Sequence, residues 1–152
     1  MIIKNVQLYT EDKFFEEGQI IINDGLFSEE EVQGDEVIDG EGCYAIPGLI
    51  DVHFHGCVGA DFCDGTPEAI SKIAEYEASQ GITTIVPATM TLSEDELMKI
   101  MKNAGNYKSD KGAILAGINM EGPFISHLKK GAQNEQYIQH CDAETAQQFL
   151  DA

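Results

Sequence analysis

The sequence predicts an α/β fold: a parallel sheet covered by helices, preceded by a short all-β stretch. Three observations carry that reading. From Pro47 onward, short apolar runs without alternation (Leu49 to Val52, Ile82 to Val86, Ala113 to Ile118) take turns with segments whose apolar residues recur at helical spacing. Strands of that kind belong to parallel sheets with helices on their faces. Residues 1–45 instead read as β structure, with β-branched and apolar runs separated by turn residues.

In chain order, Met1 to Tyr9 and Gln19 to Asn23 are the first strands. Asp24-Gly25 is a tight-turn dipeptide leading into Leu26-Phe27, and Val37-Ile38 is a further short strand before the turn around Gly40 and Gly42. So few short strands cannot close a sandwich, so they are expected to need partners from elsewhere. After the strand at Leu49 come a glycine-rich loop (Gly56, Gly59) and Asp64-Gly65. Thr66 then caps a helix with Pro67 at its first position, and Gly81 closes it. Ser93 and Glu96 form a capping box for a second helix carrying Leu97, Ile100, Met101 and Ala104, which Gly105 is expected to stop. Asp142 caps a last helix with Ala146, Phe149 and Leu150, which reaches Ala152 without a stop signal.

The hydrophobic content of 43% and charged content of 24% are those of a globular protein, and 152 residues suffice for one ordinary domain with its own core. A closed eight-stranded (β/α) barrel typically needs about 250 residues, so residues 47–152 are either a small open sheet or the front of a longer protein. The strands too few for a sandwich and the uncapped last helix favour a truncated chain. The formal charge of −18 argues against nucleic acid and anionic membrane as partners. Twelve acidic residues against Lys4 and Lys13 precede Gly42, and runs such as Glu29-Glu30-Glu31 read as solvated. No apolar run approaches the about 20 residues of a membrane span, and the N-terminus lacks the pattern of a signal peptide; a cytoplasmic protein is expected. Cys43, Cys57, Cys63 and Cys141 form no C-x-x-C pair and read as reduced packing residues, with Cys57 and Cys63 as alternative metal ligands.

The chemistry concentrates in Ile46 to Gly56. His53 and His55 are one residue apart at the end of an apolar strand, so both imidazoles project to one side. In parallel α/β folds functional residues gather at the carboxyl ends of strands. Glu121, just past the third such strand, is therefore expected to meet them. Two imidazoles and a carboxylate suit Zn²⁺ or Fe²⁺. The plainer alternatives are packed histidines and a turn carboxylate before Gly122-Pro123.

The sequence resembles the N-terminal part of the N-acetylglucosamine-6-phosphate deacetylase family of the amidohydrolase superfamily. The residues that carry this are Val37-Ile38-Asp39-Gly40, Pro47-Gly48-Leu49-Ile50-Asp51-Val52-His53-Phe54-His55-Gly56, Gly81-Ile82-Thr83-Thr84 and Pro87-Ala88-Thr89. Most specific is Met120-Glu121-Gly122-Pro123-Phe124-Ile125 followed by Lys129-Lys130-Gly131-Ala132-Gln133-Asn134. The resemblance covers this whole chain but less than half of a complete family member.

It implies that residues 1–46 are the N-terminal strands of a composite β-sandwich and residues 47–152 the first about three βα units of a TIM-like (β/α)8 barrel. The implied reaction is metal-dependent hydrolysis of the acetamide of N-acetylglucosamine 6-phosphate, giving glucosamine 6-phosphate and acetate in amino-sugar catabolism. Glu121 corresponds to the metal-binding glutamate, while His53 and His55 match the pair that binds a second ion in members with two. One or two divalent ions, Zn or Fe, are therefore expected. Ala132 and Gln133 match the sugar-contacting loop, though many relatives carry His where Gln133 stands. Lys129 and Lys130 are either phosphate ligands or a solvated basic pair, and His127 and His140 read as surface residues. Two further metal-binding histidines and the aspartate general acid–base are expected beyond residue 152, leaving this chain alone inactive. The resemblance also implies a homodimer when the chain is complete. Competing readings are another amidohydrolase acting on cyclic amides, of the dihydroorotase or hydantoinase kind, and a non-catalytic α/β module.

Overall fold

The structure, a computed structural model, describes residues 1–31 and 34–152. They divide into two units, Met1–Pro47 and Gly48–Ala152.

The first unit is one sheet. Its strands are β1 (Ile2–Tyr9), β2 (Phe15–Asn23), β3 (Leu26–Ser28), β4 (Val37–Asp39) and β5 (Tyr44–Ala45), in the order β3-β2-β1-β4 with β5 also on β1. The β1–β2 pair is antiparallel from Ile2↔Ile21 to Tyr9↔Phe15, whereas β4 and β5 run parallel to β1. Strand β2 starts at Phe15, earlier than the expected Gln19, because its pairing with β1 continues through the polar Glu16-Glu17. Asp24 and Gly25 both take positive φ between β2 and β3, as a two-residue hairpin turn requires. Ile2, Val6 and Ile21 are buried, while Phe27 is 86% and Leu26 73% exposed.

The second unit holds β6 (Leu49–Asp51), the hairpin β7 (Gly56–Cys57) and β8 (Ala60–Asp61), α1 (Pro67–Ser79), β9 (Ile82–Ile85), β10 (Ala88–Thr89), α2 (Glu94–Asn106), β11 (Ile114–Leu115), β12 (Asn119–Met120) and α3 (Ala143–Asp151). Strands β11, β9 and β6 form a parallel sheet in that order, and β10 pairs in parallel with β12. Backbone hydrogen bonds join these pieces into three extended runs. Val86 N–H donates to Asp51 O (2.8 Å) and Ala88 N–H to Phe54 O (2.7 Å); Ala116 N–H donates to Ile85 O (3.0 Å) and Asn119 N–H to Pro87 O (2.9 Å). Pro87 lacks an N–H and so interrupts the second run between β9 and β10. The expected glycine-rich loop contains the β7–β8 hairpin. At Gly48 a side chain would run into Thr83 of the neighbouring strand, which explains the glycine beside Pro47.

Helix α1 begins as the sequence predicts: Thr66 Oγ accepts from Ala69 N–H (3.2 Å), and Pro67 occupies the first turn. Helix α2 opens on the Ser93–Glu96 capping box and ends at Asn106, one residue past the expected Gly105. An interior glycine costs about 1 kcal/mol relative to alanine without ending a helix. Here Asn106 Nδ2 donates to Lys102 O (2.7 Å) and ties the last turn. Ser93→Ala is expected to destabilise the chain by about 1 kcal/mol, read as a lower urea midpoint; an unchanged midpoint would remove the box from the helix's support.

Phe62, Ile70, Ile73, Ile85 and Ile100 pack together as the core between helices and sheet. The strands, expected to be buried on both faces, are not all so: Leu49, Ile50 and Ile114 are 51%, 64% and 69% exposed. Among the described residues no helix is long and apolar enough to cross a membrane.

Candidate metal centre

The first strand run ends in the two histidines. Asp51 Oδ1 accepts from His53 N–H (3.0 Å), so the chain leaves β6 in a fixed turn. Ala88 pairs with Phe54, which holds the backbone between the two rings against β10. The third run delivers Glu121 one residue beyond Met120, next to the second run that carries Ala88 and Thr89.

These elements bring His53, His55 and Glu121 together. One ligand atom from each lies within 4.8 Å of the others. Glu121 Oε2 is 3.4 Å from His53 Nε2 and 3.2 Å from His55 Nε2, and the two rings stand edge-on with centroids 5.5 Å apart. His53 is half exposed; the His55 and Glu121 side chains are each one-third exposed. Two atoms each about 2.1 Å from a tetrahedral ion lie about 3.4 Å apart, so the donor types and their spacing both fit a divalent metal.

The surroundings orient the rings. His55 Nδ1 lies 3.2 Å from Ala88 O. A carbonyl only accepts, so that nitrogen carries the proton and the Nε2 lone pair faces Glu121 when the ring is neutral. Asn119 Nδ2 donates to Val52 O (2.9 Å) and stands 3.2 Å from His53 Nδ1. Asn119 was missed in the sequence, yet a signal was there: it lies two residues before Glu121 on an extended run, hence on the same face.

Glu121 is held through its backbone. Thr91 Oγ donates to Glu121 O (2.8 Å), and Gly122 adopts φ +96 with its α-carbon so close to Thr91 that a side chain would strike the hydroxyl. Thr91 N–H donates in turn to Gln133 Oε1 (2.7 Å). Nothing in the local sequence marks Thr91, since its partners are 30 and 42 residues away.

Of the expected sugar-contacting pair, Ala132 is exposed and Gln133 is buried. The Gln133 amide is turned inward, its Nε2 reaching Met90 Sδ (3.7 Å). Lys130 Nζ donates to Gln133 O (3.1 Å) and lies 3.8 Å from Glu135, while Lys129 sits in a short 3-10 turn with His127. Cys57 and Cys63 stand outside the three-residue cluster. Burial, followed by the Glu77 carboxylate, pushes the Cys57 thiol up to about 11; burial also pushes Cys63 up to about 11, and its Sγ accepts from Met90 N–H (3.2 Å). Both thiols therefore stay protonated at neutral pH in the metal-free chain, the form that does not attack an electrophile. At pH 8, iodoacetamide is expected to label the exposed Cys43 and Cys141 before Cys57 and Cys63, the latter pair gaining rate only as pH rises toward 11. Equal labelling of all four by mass spectrometry would contradict this.

No family model matches the chain. Curated proteins do. It is 30% identical over 155 residues to N-acetylglucosamine-6-phosphate deacetylase of Bacillus subtilis, covering 95% of this chain and 39% of that protein. It is 31% identical over 157 residues to the enzyme of the same name from Bos taurus, covering 98% of this chain and 37% of that protein. Among solved structures, the N-acetylglucosamine-6-phosphate deacetylase of Thermotoga maritima matches with a TM-score of 0.81 and 30% identity over 97% of this chain and 39% of that one. The Pasteurella multocida structure of the same name shares the fold at a TM-score of 0.88 and 23% identity. The chain thus spans about two-fifths of the length of the relatives it matches.

Proposed function

We propose that this chain, which resembles N-acetylglucosamine-6-phosphate deacetylases along nearly its whole length, is the metal-binding front part of such an enzyme. The reaction would be hydrolysis of the acetamide of N-acetylglucosamine 6-phosphate to glucosamine 6-phosphate and acetate. The observation that carries the reading is the approach of two imidazole nitrogens and one carboxylate oxygen from strand runs 66 or more residues apart in sequence. The names of the relatives support the substrate class: a phosphorylated amino sugar.

A Zn²⁺ or Fe²⁺ ion held by His53, His55 and Glu121, when bound, supplies Lewis acidity toward an amide carbonyl and toward water. The chain's own residues bind and orient. Glu121 brings the negative charge, and the His55 Nδ1–H···O=C contact with Ala88 keeps the opposite nitrogen turned inward. Ala132, exposed on its loop, and Gln133, through its backbone, would contact the sugar. The finer architecture belongs to the same proposal. Residues 1–46 would supply strands to a composite β-sandwich, and the strand runs at Leu49, Ile82 and Ile114 would open a (β/α)8 barrel. The exposed Leu26 and Phe27 in the first unit, and Ile50 and Ile114 in the second, support this as faces awaiting apolar cover. The complete enzyme would work as a homodimer in the cytoplasm, where the four unpaired cysteines of this chain would stay reduced.

The test is metal content and activity together. The purified 152-residue chain is expected to take up Zn²⁺ but to release no acetate from N-acetylglucosamine 6-phosphate, since the proton-transferring aspartate implied by the resemblance lies beyond residue 152. Measurable deacetylation would sink the second half of that statement, and no metal uptake would sink the first. A fusion of this chain to the remainder of a relative is expected to turn over substrate and to lose both metal and activity on Glu121→Gln.

A further inference from the structure

We infer that Thr91 is a positioning residue for Glu121, and that Gln133 serves the same end through Thr91 instead of offering its amide to a ligand. The inference rests on the metal reading above and concerns how the carboxylate is held. Thr91 and Gln133 are 1% and 3% exposed, so neither side chain can reach solvent. Thr91 donates two directed bonds, to two different segments. Its hydroxyl donates to Glu121 O at 2.8 Å, and its amide donates to Gln133 Oε1 at 2.7 Å. Buried bonds of this kind are costly to leave unmade, because the stranded donor or acceptor has no water to replace its partner. Gly122 closes the arrangement: only a residue without Cβ lets the turn after Glu121 approach Thr91 so nearly.

The other contacts of this segment show why it can act as an anchor. Met90 N–H donates to Cys63 Sγ (3.2 Å) and Met90 Sδ faces Gln133 Nε2 (3.7 Å). Gln133 is tied at its own backbone, where N–H donates to Lys130 O (3.1 Å) and O accepts from Lys130 Nζ (3.1 Å). Residues 90–91 therefore join three segments: the turn after the β7–β8 hairpin, the Glu121-Gly122 turn and the 130–133 loop. Thr91 holds the backbone from which the Glu121 side chain extends, so a shift of that backbone displaces Oε2 relative to both imidazoles. Groups that hydrogen-bond metal ligands directly are typically worth about 10- to 100-fold in affinity, and Thr91 acts on the backbone of one such ligand.

The test uses Zn²⁺ alone in competition with a chromophoric chelator, and Co²⁺ alone for its visible spectrum, on the 152-residue chain. Thr91→Val keeps shape and removes only the hydroxyl donor. It is expected to weaken Zn²⁺ about 10- to 100-fold and to alter the Co²⁺ bands, while Thr91→Ser restores both. Gln133→Met is expected to act in the same direction, and the double variant Thr91→Val/Gln133→Met to lose less than the product of the two single losses, as coupled sites do. Wild-type affinity and spectrum in a folded Thr91→Val chain overturn the inference. So does failure of Thr91→Ser to rescue. If the unaltered chain takes up neither ion, the metal reading fails, and the positioning is then read in the ion-free chain. There Thr91→Val should shift the Glu121 carbonyl and carboxyl ¹³C resonances, and Gln133→Met should speed exchange of the Thr91 amide. Unmoved resonances and unchanged exchange would overturn it there too.

Discussion

Glu121→Gln is expected to weaken Zn²⁺ binding to the chain by more than about 100-fold, since even residues that only orient ligands are commonly worth 10- to 100-fold. The substitution keeps the size and the backbone bond to Thr91. It replaces the carboxylate that lies 3.2 and 3.4 Å from the two imidazoles with a neutral amide, a far poorer ligand for Zn²⁺ or Fe²⁺. The side chain is 34% exposed and its partners are histidines, so the effect on folding should stay below about 1 kcal/mol. The two readouts separate a ligand from a strut. A chelator titration gives the affinity and a urea melt gives the stability. Equal Zn²⁺ affinity for the variant and the parent would leave Glu121 as the turn carboxylate that the sequence also permits. Loss of stability without loss of metal would make the histidine contacts a folding device.

The largest expected stability effect lies one residue further on. Gly122→Ala places a Cβ against the Thr91 hydroxyl at a backbone φ of +96. Both faults add: a non-glycine residue in that region costs about 1–3 kcal/mol, and the clash forces Thr91 off its bond to Glu121 O. A loss of more than about 2 kcal/mol is therefore expected, seen as a clear drop in the urea midpoint. Gly25→Ala is the matched comparison. Its φ is +78 but nothing lies within 4 Å of the added carbon, so only the backbone strain applies, at about 1 kcal/mol. If both variants lose the same stability, the Thr91 contact contributes nothing and the close approach is incidental.

The two results bear on one point: how the Glu121 turn reaches the histidines. Much of what surrounds that turn was legible from the chain alone. Thr66-Pro67 and the Ser93–Glu96 box announce two helices because caps act within four residues, and both helices begin where those signals stand. The joint placement of His53, His55 and Glu121 at strand ends follows from parallel topology and the two-residue period. Asn119 could have been added by the same reasoning, being two residues from Glu121.

Other features were not local enough to read. Gly105 was expected to stop the second helix, which ends one residue later at Asn106, where the Asn106 side chain closes on Lys102. The second strand was expected from Gln19, yet it begins at Phe15, because β1 supplies Glu16 and Glu17 with backbone partners that do not depend on side-chain character. Gln133 was singled out because, with Ala132, it matches the sugar-contacting loop of the family that the chain resembles. Its burial and its bond to Thr91 N–H were set by a segment 42 residues away.

The sequence by itself determined the α/β alternation, the starts of the helices and the three residues fit to hold a divalent ion. These rest on periodicity, capping and residue chemistry, all of which act over a few neighbouring positions. Only the tertiary structure decided how those residues are held. The Ala88 carbonyl behind His55, the amide of Asn119 beside His53 and the Thr91 hydroxyl under Glu121 come from different strand runs. A hydrogen bond needs its partners within about 3 Å, and that proximity exists only once the runs have paired.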